Sequence, residues 1–118
     1  MHERIPEQSI SKSAPQKSEV ITLATRLWSA LDRMHHEANA RVRTEPYGRI
    51  SRERAELLNA TLEPAKRLLE QNDVAYELTL LDPHNPETNT EVLLLLGKYR
   101  GSLRAFRYQV LQELPFSF

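Results

Sequence analysis

The stretch Thr88-Asn89-Thr90-Glu91-Val92-Leu93-Leu94-Leu95-Leu96-Gly97-Lys98-Tyr99-Arg100, continuing to Leu114, decides the fold. From Val92 onward, Leu96, Tyr99, Leu103, Phe106 and Val110 follow at spacings alternating four and three, which is the seam of a helix that buries one face against other helices. Thr88 to Glu91 has the Ser/Thr-x-x-Glu form of a capping box directly before the apolar run. The pattern predicts a helix over 89–114. Leu93, Leu94 and Leu95 join the seam residues, so the first turns are apolar all the way round. They call for more cover than a seam gives, from a second copy or another protein. Gly97 and Gly101 lie one turn apart; either they allow close helix approach, or Gly97 marks a bend or a break.

Upstream, two more helices are predicted. Ser18 is the expected N-cap of the first, with Glu19 where a carboxylate meets the positive helix end. Its seam is Val20, Ala24, Leu27, Leu31, Met34 and Ala38, widened by Ile21, Trp28, His35 and Val42. It fades near Arg43, before the turn residues Thr44 to Gly48. The second runs from Ser51 through Leu58, Leu62, Ala65 and Leu69 to about Leu81, with a kink or two abutting helices at Pro64. Val74, Tyr76, Leu78 and Leu80 alternate as in a strand. An α+β fold with a short hairpin of 74–81 and 92–96 is therefore the alternative. The all-α bundle is preferred, because a lone strand needs a partner and 92–96 is mostly leucine, a good helix former. Residues 1–17 hold few apolar anchors and two prolines, and are expected to be a disordered tail on a single helical domain, 18–118.

A chain of 118 residues suits one domain with one core. There is no cysteine, which excludes disulfides, thiolate catalysis and cysteine-ligated zinc. No apolar run has the length of a signal peptide or a membrane span, so the expected place is the cytoplasm, away from membranes. His35-His36-Glu37 is the one metal-like cluster, but adjacent helical histidines point about 100° apart. His84 has no nucleophile pattern beside it, and no phosphate loop or nucleophile elbow is present. A non-enzymatic protein without metal or cofactor is expected.

Lys+Arg and Asp+Glu both number 16, so the formal net charge is zero. Locally the charges separate. Arginines gather over 41–54, and Lys98, Arg100, Arg104 and Arg107 follow with no acid between Val92 and Gln112. One reading is a nucleic-acid footprint through Arg49, Arg52, Arg100, Arg104 and Arg107. The other is complementarity between basic and acidic faces, inside the fold or across an interface. Zero net charge favours the second. The large apolar groups Trp28, Leu93, Leu94, Leu95, Tyr108, Phe116 and Phe118 exceed the needs of one seam, and aromatic anchors are what interfaces concentrate. These seven are the candidate association residues, in a homodimer and against another protein.

In size, in its leucine-rich C-terminal helix over Glu91 to Tyr108, and in lacking a catalytic motif, the chain resembles the small bacterial anti-activators that bind LuxR-type quorum-sensing regulators. The resemblance implies a protein that binds a transcription regulator, prevents its dimerisation and so blocks DNA binding. It assigns no role to any single residue.

Overall fold

A computed structural model of the protein describes residues 17–72 and 78–113. They form an all-α bundle of three helices: α1, Lys17–Thr44; α2, Arg52–Gln71; and α3, Asn89–Glu113. Residues 1–16, with the expected tail, residues 73–77, and Phe116 and Phe118 lie outside the described residues. No described helix is long and apolar enough to cross a membrane.

The α3 seam is the core. Val92, Leu96, Tyr99, Leu103, Phe106 and Val110 are all buried. From α1 come Ala24, Leu27, Leu31 and Ala38, and from α2 Leu58, Leu62, Ala65 and Leu69, together with Ala55 and Leu68, which the periodicity had not singled out. The pairing of α1 with α3 is antiparallel. Arg107 lies over the Trp28 ring, Arg100 pairs with Asp32 at 2.8 Å, Gly97 faces His35, and Asn89 reaches Glu45. Each step up one helix is a step down the other.

The start of α3 is fixed twice. Within the capping box, the Thr88 N–H donates to Glu91 Oε1 at 2.8 Å and the Glu91 N–H donates to Thr88 Oγ1 at 3.2 Å. The donors between them go to the connection after α1: Asn89 N–H to Gly48 O at 2.8 Å and Thr90 N–H to Pro46 O at 3.2 Å. Side chains repeat the link, Asn89 Nδ2 donating to Glu45 O and Thr90 Oγ1 to Pro46 O, both at 2.8 Å. The N–H groups that every helix leaves open at its start are thus taken up by the turn joining α1 and α2. Arg49 Nη1 donates to Pro86 O, and Ile50 N–H to Glu87 O, extending the same clasp. A side chain at Gly48 would place its Cβ 3.2 Å from that of Glu45 and 3.6 Å from Asn89 Nδ2, so glycine is what lets the turn sit this close.

Ser51 caps α2, its side chain accepting from the Arg54 N–H at 3.1 Å. Helix α1 starts one residue earlier than expected. Ser18 is already helical, with its carbonyl taking the Thr22 hydroxyl, so it is not the N-cap. Helix α2 runs unbroken through Pro64 instead of dividing there. An interior proline costs about 3 kcal/mol, and full burial of Leu62 and Leu69 close by, at about 1.5–3 kcal/mol each, offsets it.

The largest correction concerns the end of α2. It stops at Gln71 and does not continue to Leu81. Asn72 closes it, its side chain donating to Leu68 O at 2.8 Å. Residues 78–82 follow without helix, yet they make no hairpin either, since 92–96 lies inside α3. Among the described residues the only β-type pairing is a single bridge between Arg49 and Thr88. Side chains take the place of a strand partner. Asn59 Nδ2 donates to Leu81 O and the Leu81 N–H donates to Asn59 Oδ1, both at 2.9 Å. Tyr99 Oη donates to Thr79 O at 2.8 Å. Held this way, Leu78 and Leu81 enter the core. Burial, and then the Glu70 carboxylate, push the Tyr99 hydroxyl up to about 12, so it remains a donor across the neutral range.

Replacing Asn59 with Ala leaves both polar backbone groups of the buried Leu81 without a partner. A loss of about 2–3 kcal/mol is expected, against about 1 kcal/mol for Tyr99→Phe, whose acceptor belongs to the exposed Thr79. Urea denaturation of the two variants measures both. Equal losses would mean that Asn59 does not hold the segment.

Candidate functional site

Opposite the buried seam, α3 turns a second set of residues outward. Leu94, Gly101 and Tyr108 recur every seven residues, and Lys98 and Ala105 fall beside them. Leu94 is 63% exposed and Tyr108 66%. At 1.5 Å per residue these two large groups stand about 21 Å apart along the axis. Exposed Gly101 and Ala105 form the low ground between them, giving the outer face the shape of a saddle. Leu111, 42% exposed, flanks it. Gly101, Arg104, Ala105, Arg107, Tyr108 and Leu111 line a shallow depression on this side.

The two glycines of α3 serve different ends, and neither breaks the helix. A Cβ on Gly97 would come within 3.7 Å of His35 Nε2, ordinary contact, so Gly97 belongs to the packing against α1. A Cβ on Gly101 would meet nothing within 4 Å. Among the described residues nothing uses the absence of a side chain there, although glycine costs a helix about 1 kcal/mol relative to alanine.

The expected association residues separate into groups. Leu93 and Leu95 are half-buried and packed against the core, as is Trp28. The ring of leucines at the front of α3 is therefore covered by the protein itself except at Leu94. Tyr108 joins Leu94 on the open face. Leu111 and Ala105 were not foreseen as part of it; the seven-residue spacing of Leu94, Gly101 and Tyr108 was the signal that marks their face. Tyr47 and Leu57 are also exposed, at 84% and 66%, but on the α1–α2 turn and on α2.

Most of the five arginines considered for nucleic acid have partners within the fold. Arg49 binds the Pro86 carbonyl, Arg52 pairs with Glu56 at 3.4 Å, and Arg100 with Asp32. Arg107 stacks over Trp28, 5.7 Å from the ring centre. Arg104 is exposed with no partner among the described residues. The 41–54 cluster sits where α3 begins, about 20 Å along the axis from Arg104, and also contains Arg54 paired with Glu37. The basic groups do not form one continuous track.

His35 is half-buried beside an exposed His36, whose Nδ1 lies 3.3 Å from Asp32 O. The His84 N–H donates to the side chain of Asp82 at 2.9 Å, an ordinary turn contact. Among the described residues no three His, Asp or Glu side chains converge as metal ligands. Burial holds the His35 imidazole below its ordinary 6.5, with Arg100 and His36 acting in the same direction and Asp32 against it.

No protein-family model matches this chain, and comparisons with characterised proteins and with solved structures give no match.

Two outcomes follow. Gly101→Ala, with its methyl in open space, should stabilise the fold by about 0.5–1 kcal/mol; thermal or urea denaturation that showed a loss would mean that the bundle itself needs the glycine. For His35, the unfolded chain binds the proton more readily than the folded one. Stability should be full above pH 6.5 and fall as the pH drops through it. His35→Gln should remove that part of the slope, and a pH series in which both proteins decline in parallel would assign it to other groups.

Proposed function

We propose that the protein is a non-enzymatic interaction module that works by presenting the outer face of α3 to another protein. The observation that carries this reading is the pair of large apolar side chains, Leu94 and Tyr108, standing open on either side of Gly101. Isolated exposed apolar residues are commonplace on protein surfaces. Aligned along one helix with a low centre, they match the helix-in-groove mode of recognition, in which anchors recur at helical spacing. The bundle behind them is held by the clasp at the start of α3 and by the full seam, so the face is rigid before binding and little ordering entropy opposes association.

In its specific form the proposal follows the anti-activator resemblance: α3 covers the dimerisation surface of a transcription regulator and takes that surface out of use. Symmetric pairing of α3 with the α3 of a second copy is less suited to this face, because Lys98 and Arg104 would meet their own counterparts. Direct nucleic-acid binding has less support than partner binding, since four of its five arginines are already engaged within the fold.

Leu94→Asp tests the reading, with Leu57→Asp as control, because Leu57 is equally exposed on a different helix. In affinity capture from the native cell, read by quantitative mass spectrometry, the first substitution should reduce the captured partner at least about tenfold. The second should leave it in place, and both proteins should keep their helical content. Equal capture by both variants would remove the basis for assigning α3.

A further inference from the structure

We infer that the occupant of the α3 face is an acidic amphipathic helix, one that sets carboxylates on both sides of an apolar stripe. This rests on the docking reading above and adds the chemistry of the partner. Between Val92 and Gln112 the helix has no Asp or Glu. Lys98 rises beside the Leu94–Ala105 line on one flank, while Arg104 and Arg107 border the depression on the other. None of these three has an acidic partner among the described residues, unlike Arg100, whose charge is answered by Asp32.

Arg107 adds a second indication. Its guanidinium lies over Trp28 and has no acidic partner among the described residues, while the residue itself borders the open depression. An arginine held on a ring and lacking a carboxylate keeps its remaining donors for an acceptor brought from outside. Planar, charge-assisted pairing with a carboxylate suits that arrangement. A helix lying in the saddle has room for its backbone over Gly101, where no atom of the described residues lies within 4 Å of a would-be Cβ. A second copy offers the same basic flanks and so lacks the complementary charge. A nucleic-acid strand would meet Lys98 and Arg104, with Arg107 already stacked on Trp28, around an apolar centre, a weak electrostatic footprint.

The test uses the full chain and three labelled probes followed by fluorescence anisotropy. Two are helical peptides of about 20 residues with an identical Leu/Phe stripe, one flanked by Glu and the other by Lys; the third is a DNA duplex of arbitrary sequence. The Glu peptide should bind, and should weaken at least about tenfold between roughly 0.05 and 0.5 M salt. The double substitution Lys98→Glu with Arg104→Glu, both at exposed positions, should reverse the preference toward the Lys peptide. Lys98→Gln with Arg104→Gln, which only neutralises, should abolish the preference and serves if the reversed protein fails to fold. Equal binding of the two peptides, binding of neither, or tighter binding of the duplex would each overturn the inference. So would a dimer in sedimentation that Tyr108→Asp dissociates, since a second copy would then own the face. Loss of cellular capture by Leu94→Asp, combined with indifference of the peptides to charge reversal, would sink the acidic partner alone and leave the docking face standing. Indifference of capture to Leu94→Asp would sink the docking reading itself.

Discussion

The bundle depends on how the first turn of α3 is satisfied. A helix entering a protein interior has open N–H groups at its start, and burying them unpaired costs about 1–3 kcal/mol each. Here Thr88 and Glu91 settle their own donors reciprocally, while Asn89 and Thr90 give theirs to Gly48 O and Pro46 O. One set of bonds thus terminates a helix and joins two distant parts of the chain. Because the carbonyls come from the turn after α1, their position fixes where α3 enters and the register in which it descends along α1. The Asp32–Arg100 pair, the Trp28–Arg107 stack and the contact of His35 with Gly97 all fall into line from that origin.

That register divides α3 into two unlike halves around its circumference. One side is a continuous seam from Val92 to Val110. The other is sparse, with Leu94 and Tyr108 separated by Gly101 and Ala105 and with Lys98 beside them. The arginines sort themselves by the same division. Those turned toward α1 are paired or stacked, and those turned away face no acid. Zero net charge for the whole chain therefore conceals a local imbalance, to which internal pairs such as Glu37 with Arg54 and Asp32 with Arg100 contribute.

Most local features of the fold were readable from the sequence, the Ser18 cap and the division at Pro64 excepted, and the long-range contacts that end α2 were not. The α3 seam and its capping box lie within a few residues of one another, and both are found as their spacing predicts. The Ser51 cap is equally local. The end of α2 escaped because it is decided by Asn59 and Tyr99, each about 20 residues from the backbone group it holds. No periodicity records that an asparagine side chain will serve as the partner of an extended segment. The leucines of α3 have less free surface than their all-round pattern suggests. With 78–82 extended, Leu78 and Leu81 enter a core that a longer α2 would have supplied differently, and Leu93 and Leu95 are sheltered within the chain. As for the candidate face, Leu94 and Tyr108 were visible, whereas Trp28 moved to the packed side because Arg107 covers it.

The clasp has one more implication, for mimicry. A synthetic copy of α3 would carry the whole saddle, yet it would lose the carbonyls of Pro46 and Gly48, would leave its apolar seam uncovered, and would keep two glycines in its middle, each costing about 1 kcal/mol of helix stability. The remainder of the chain thus acts on α3 as a splint, holding its start through the Pro46 and Gly48 carbonyls and covering its seam while one edge stays open. Any miniature meant to reproduce that edge would need its own brace at the amino end.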